Sequence, residues 1–142
     1  MLKLVLDTDV IVAAMRSPKG ASAALLDAAL NQDLIMLASV PLFVEYDAKC
    51  TDPRHWTEAE LTGEQAHSFV NGIATMIKPV KTHFLWRPVL RDPNDEMVLE
   101  VAMNGQADAI VTFNHRDFGG VSERFNVDIL LPSEAIRRVR NG

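Results

Sequence analysis

The stretch Leu2–Val12, LKLVLDTDVIV, carries a short apolar run, Lys3 to Leu6, that closes on two carboxylates one residue apart, Asp7 and Asp9. A run this short and apolar between polar residues reads as a strand buried on both faces, the kind found in parallel sheets. An Asp-x-Asp pair at the exit of such a strand has three readings. It is the nucleophile and acid/base of an aspartyl-phosphate enzyme, a corner of a metal site, or a helix N-cap.

Working outward, the apolar pattern predicts a brief helix over Val10 to Met15, a turn at Ser17-Pro18-Lys19-Gly20, and an alanine- and leucine-rich helix from Ala21 to Leu30. Leu34 to Ala38 reads as a second strand. Ser39-Val40-Pro41 then opens a helix that runs to Lys49 with Glu45 inside it. Asp52 to Thr62 reads as loop with a short helix at Thr57 to Leu61, and Gly63 to Ile77 as a helix with one apolar stripe, stopped by Pro79. Val80 to Thr82 reads as a small edge strand, whereas His83 to Val89 has no assignable pattern. Asp92 to Glu96 leads into a helix from Met97 to Asn104, with Gly105 as its stop. Strands at Ala109 to Thr112 and Val127 to Leu130 and a helix from Pro132 to Arg140 complete the chain. Strands alternating with helices predict one α/β domain over 1–142, a three-layer α/β/α sandwich with a mainly parallel central sheet.

With 142 residues the chain is long enough to bury about two-thirds of its unfolded surface without a disulfide. Its one cysteine, Cys50, cannot pair internally, and no charged leader opens the sequence, so the expected compartment is the cytoplasm. No stretch reaches the roughly 18 apolar residues of a membrane span. The net charge of −5 argues against coating nucleic acid by bulk charge, but a metal-holding carboxylate cluster would contribute much of that negative sign. Arg137, Arg138 and Arg140 read as a solvated helix end favoured by the helix dipole, ahead of a phosphate-binding patch.

In parallel sheets ligands sit beyond the carboxyl ends of the strands. Asp7, Glu45, Asp95 and Asp117 each lie near a strand exit or a helix start. Taken singly, each has a plain structural role: Asp95 or Asp92 as an N-cap, Glu45 as a solvated helix residue, Asp117 as a loop residue bonded to its neighbours. Gathered in one pocket they would repel one another unless a cation compensated. Mg²⁺ and Mn²⁺ favour oxygen ligands and can activate water against a phosphodiester, so no serine, cysteine or histidine nucleophile is required.

The segments LVLDTDVIVAAM, Glu45 in the helix after the second strand, DPNDEMVLEVAM and IVTFNHRDF together resemble the PIN-domain nucleases, and within them VapC-like toxins. The resemblance implies that Asp7, Glu45, Asp95 and Asp117 are the acidic residues that hold the metal. Asp95 takes the third position ahead of Asp92 because the step from it to Ala102 matches the family's helix. Thr8, Asp9, Asp92, Thr112 and Asn114 are then candidates for the groups around the ligands, the two threonines acting through their hydroxyls or as caps. Asp9 stands where the family usually has Asn or Ser. Arg87, Arg91 and Arg116 are candidates for contacts to RNA phosphates. The resemblance further implies cleavage of single-stranded RNA with Mg²⁺ or Mn²⁺, a cognate antitoxin that blocks the acidic groove, and a homodimer.

Two other readings remain open on the residues. Asp7-x-Asp9 also resembles the opening of haloacid-dehalogenase-type phosphatases, with Asp7 as nucleophile and Ser39 and Lys78 or Lys81 fitted to that scheme, although Glu45 would then have no role. The other is a binding module that keeps the PIN fold without catalysis.

Overall fold

Lys3–Leu6 forms the central strand β1, and Leu4, Val5 and Leu6 have no solvent exposure, as a strand covered on both faces requires. The computed structural model describes residues 1–82, 90 and 92–142. The unassigned segment 83–89, with Arg87, and also Arg91 lie outside the described residues. Beside β1 stand β2 (Ile35–Ala38), β3 (Ile77–Pro79), β4 (Ala109–Val111) and β5 (Asp128–Leu130), in the order β3-β2-β1-β4-β5 with every pair parallel. The chain steps to one side of β1 through β2 and β3, then returns to the other side through β4 and β5. Right-handed crossovers therefore put the helices of the first half on one face and those between β3 and β5 on the other, giving three layers.

The helices are α1 (Thr8–Arg16), α2 (Ala21–Leu30), α3 (Val40–Cys50), α4 (Pro53–Glu58), α5 (Gly63–Met76), α6 (Pro93–Asn104), α7 (Val121–Phe125) and α8 (Pro132–Asn141). Their starts are written in capping residues. Ser39 Oγ accepts from Leu42 N at 3.2 Å to open α3. Thr62 and Gln65 exchange side-chain and backbone bonds of 3.1 and 2.9 Å in a capping box on α5.

Caps also set the starts of two helices ahead of their apolar patterns. The short helix after α3 begins at Pro53 instead of Thr57, because Asp52 accepts from Arg54 N at 2.9 Å and Pro53 suits the first turn. Helix α6 begins at Pro93, four residues ahead of Met97, because Asp92 accepts from Asn94 N at 2.8 Å. Asp92 is thus the cap, and Asp95 lies inside the first turn. The edge strand falls on Ile77–Pro79 instead of Val80 to Thr82, with Ile77 in register with Met36; Pro79 is tolerated because β3 is an edge. Residues His115–Phe118 form a 3₁₀ turn where the sequence offers a polar loop, and Val121–Phe125, to which the sequence pattern assigns no element, forms a short helix; both are held by the buried Phe118 and Val121.

Gly105 follows α6 as expected, but not for its conformational freedom: its φ is −90°, and the left-handed residue is Gln106 with φ 54°. A Cβ at Gly105 would meet Leu37 Cδ1 at 2.8 Å, Val101 O at 2.9 Å and Val80 Cγ2 at 3.1 Å. Gly105→Ala should cost about 1–3 kcal/mol by overpacking, read as a lower midpoint in urea unfolding; an unchanged midpoint would show that the sheet yields there. Cys50 is buried, and burial followed by the Asp47 carboxylate pushes its thiol up to about 12, so it is no nucleophile. Among the described residues no helix is long and apolar enough to cross a membrane.

Candidate active site

The strand order reverses between β1 and β4, and there a parallel sheet opens a crevice beyond its carboxyl ends. Leu6 pairs with Val111, so the next residues on the two strands, Asp7 and Thr112, meet at that crevice. The ladder continues through Asp7 N to Val111 O at 2.9 Å. Thr112 Oγ1 donates to Asp7 Oδ2 at 2.8 Å, and Asn114 N in turn donates to Thr112 Oγ1 at 2.9 Å. The other oxygen, Asp7 Oδ1, accepts from Thr8 N at 2.8 Å and caps α1. The cap and the cavity wall are therefore two uses of one carboxylate.

Helix α3 is tied to the same point. The fully buried Tyr46 donates its hydroxyl to the Leu6 carbonyl, immediately before Asp7. Its neighbour Glu45 thereby reaches the cavity, where Oε1 accepts from Asn94 Nδ2 at 3.3 Å and stands 3.9 Å from Lys49 Nζ. Helix α6 brings Asp92 and Asp95 over the crevice, Asp95 only 6% exposed. The 3₁₀ turn after β4 carries Asp117 to the rim.

Asp7, Thr8, Asp9, Glu45, Asp92, Asp95, Asn114 and Asp117 thus line one cavity of about 450 Å³. Thr112 is fully buried and reaches it through Asp7. Arg116 is exposed and does not line it, while Arg87 and Arg91 lie outside the described residues. Asp9 faces the site. Its Oδ2 accepts from Phe113 N at 3.2 Å and Asn114 Nδ2 at 3.1 Å, which ties α1 to the loop after β4. Its Oδ1 and Thr8 Oγ1 are buried without a hydrogen-bond partner among the described residues. Buried polar atoms left in this state mark room for a polar occupant.

The carboxylates disturb one another. Burial, reinforced by Asp7, Asp92, Asp117 and Asp9, pushes Asp95 up to about 7. Burial and the Asp7 charge push Asp9 up to about 6. Asp7 is also raised, chiefly by burial and against the hydrogen bonds from Thr112 and Thr8. Each shift reports burial first, and for Asp9 and Asp95 the neighbouring carboxylates second. The donors are oxygens of Asp, Glu, Asn and Thr, which suit a hard divalent cation. Among the described residues no three His, Cys, Asp or Glu side chains already close around one point. Mg²⁺ keeps several waters and needs only one or two carboxylates directly, so an open, oxygen-lined wall of this kind fits it.

Besides the apolar Val12 and Ala13, five lining residues have no place among the sequence candidates: Arg16, Lys49, His55, Asn94 and Phe113. Two had a signal. Lys49 lies four residues after Glu45, and Arg16 follows Asp9 by seven, both on shared helix faces. His55 had none, since only the packing of α4 against α1 brings its Nδ1 to 3.2 Å from Arg16 Nη2. Of the residues of the phosphatase scheme, Asp7 and Asp9 line the cavity, but Ser39 Oγ is spent on its cap, Lys78 and Lys81 are exposed, and none of these three lines it.

The family model described as PIN domain matches residues 3–116, which takes in Asp7, Glu45 and Asp95 and stops one residue short of Asp117. Two solved structures share the fold. VapBC2 from Rickettsia felis, crystallised with a DNA fragment from its promoter, aligns with a TM-score of 0.60 at 15% identity, over 90% of this chain and 97% of that one. FitAcB from Neisseria gonorrhoeae aligns with a TM-score of 0.54 at 17% identity, over 92% of this chain and 98% of that one. No curated protein matches in sequence.

Proposed function

The chain belongs to the PIN domain family, and from that premise we propose that it is a ribonuclease that cuts single-stranded RNA with Mg²⁺ or Mn²⁺ held by Asp7, Glu45, Asp95 and Asp117. The observation that carries this reading is the convergence of those four carboxylates on one cavity at the strand-order reversal, where burial and the neighbouring acids raise Asp95. When bound there, the cation would supply the positive charge that activates water against the phosphodiester.

The chain's own groups divide the remaining work. Thr112 and the Thr8 amide hold the Asp7 carboxylate in one orientation. Asn114 and the Phe113 amide hold Asp9. Arg16 and Lys49, which line the same cavity, offer positive charge to phosphates flanking the cut. The likeness to VapBC2 supports a toxin role with a cognate antitoxin as partner; the cytoplasm as its compartment and one domain over 1–142 are part of the same proposal. The exposed Val40 and Val44, one turn apart on α3, supply an apolar face for the second copy of a homodimer.

The test is incubation of the purified protein with single-stranded RNA in Mg²⁺, in Mn²⁺ and in EDTA. Cleavage in either metal and none in EDTA is expected. Cleavage that persists in EDTA removes the metal, and RNA binding without cleavage leaves the silent binding module. Release of phosphate from small phosphomonoesters with Asp7 labelled would establish the phosphatase instead.

A further inference from the structure

The acidic cavity shares two wall residues, Ala13 and Phe113, with a second cavity of about 370 Å³ between α1, α2 and the start of α8. Ala21, Leu131 and Pro132 make much of the rest of that wall, with Ser17 and Ser133 adding hydroxyls. Phe113 is 49% exposed and Leu131 37%, two of the few large apolar side chains that the fold leaves in solvent. Phe113 is also fastened to the acidic network, since its amide donates to Asp9 Oδ2 and the next amide to Thr112 Oγ1.

We propose that this second cavity is a nucleobase subsite in which Phe113 stacks on the base next to the phosphodiester held in the acidic cavity. The inference rests on the ribonuclease reading and adds to it where the substrate's base goes. A nucleotide carries its base one sugar away from its phosphate, so a phosphate at the carboxylates brings a flanking base to the adjoining wall. An exposed aromatic ring is the group that proteins use to hold an unpaired base, and nearby hydroxyls meet its polar edge. An apolar protein side chain would fill the same cavity but has no phosphate to place at the acidic one. A base inside a duplex is already paired and stacked, so the subsite selects single strands. The acidic cavity alone does not make that choice.

The test is a cycle between protein and RNA, read as binding so that it does not depend on cleavage. In an Asp95→Asn background with Mg²⁺, a short single-stranded RNA is titrated by fluorescence anisotropy, with an abasic nucleotide placed at each position in turn. Phe113→Ala should weaken binding by about 10-fold, as loss of one stacked base does. An abasic site at one position should do the same, and the two together should do no more than either. Phe113→Tyr should bind like the parent, and Phe113→Leu like Phe113→Ala. Absence of binding, absence of any coupled position, or parent-like binding by Phe113→Leu overturns the subsite. The abasic arm leaves the protein untouched, so a folding defect cannot imitate the result. Cleavage by the wild type without coupling sinks the subsite alone, whereas coupling without metal-dependent cleavage supports the subsite and sinks the ribonuclease reading.

Discussion

Asp7→Asn should abolish metal-dependent RNA cleavage, lowering single-turnover kcat/KM by at least ~100-fold, since loss of even a group that only supports a metal ligand typically costs about 10–100-fold. The substitution is nearly isosteric. Asn caps helices about as well as Asp, so Thr8 N keeps an acceptor and α1 keeps its start. What disappears is the negative charge at the junction of β1 and β4. Thr112→Val separates charge from positioning, because it leaves the carboxylate and removes the hydroxyl that holds Oδ2. That variant should lose about 10-fold, in the range of an outer partner. Cleavage by Asp7→Asn within about threefold of wild type would take Asp7 out of the chemistry.

Asp95→Asn should separate activity from stability in opposite directions. In metal-free protein Asp95 titrates at about 7, against an ordinary 3.8, because it is buried among Asp7, Asp92, Asp117 and Asp9. A carboxyl whose folded pKa is raised binds its proton more tightly in the native state. Its contribution is therefore most favourable at low pH and is lost as pH rises from about 4 through about 7. Asp9, at about 6, acts with the same sign. In EDTA at pH 8 Asp95→Asn should thus melt about 4 °C above wild type, equivalent to about 1–2 kcal/mol after allowance for screening at the cavity mouth, and its melting temperature should fall less between pH 4 and 7. Saturating Mn²⁺ should reverse the order, because a cation that binds only the native state stabilises the protein with more ligands. Cleavage should be lost throughout. A metal-free Asp95→Asn protein that melts at or below wild type at pH 8 would contradict the electrostatic account of the cavity.

The elements legible in the sequence were those with strong local signals. Lys3–Leu6 is an unbroken apolar run, Ser39-Val40-Pro41 is a cap followed by proline, and Gly63–Met76 carries one apolar stripe behind a capping box. The misplaced starts of α4 and α6 come from the same chemistry read too late: an Asp-Pro pair opens both, and the apolar pattern begins only a turn further on. The 3₁₀ turn at His115–Phe118 had no periodicity to find, since its shape depends on Phe118 reaching a core built by distant strands.

The same division runs through the cavity. Asp7, Glu45, Asp95 and Asp117 could be singled out because residue type and position near strand exits are local properties, and a parallel sheet sends all its exits to one edge. Which carboxylate caps a helix, and which is left inside the turn, turned on Asp92 and on where α6 begins. That Asp9 faces the site depends on the loop after β4 coming close enough for Phe113 N and Asn114 Nδ2 to grip it, a bond across 104 and 105 positions of chain. His55 and Phe113 join the walls for the same reason. By itself the sequence determined the α/β alternation and the acidic residues available, because periodicity, caps and charge are written residue by residue. Only the tertiary structure decided their partners, burial and shared field, because these arise between segments that meet after the sheet has set its strand order.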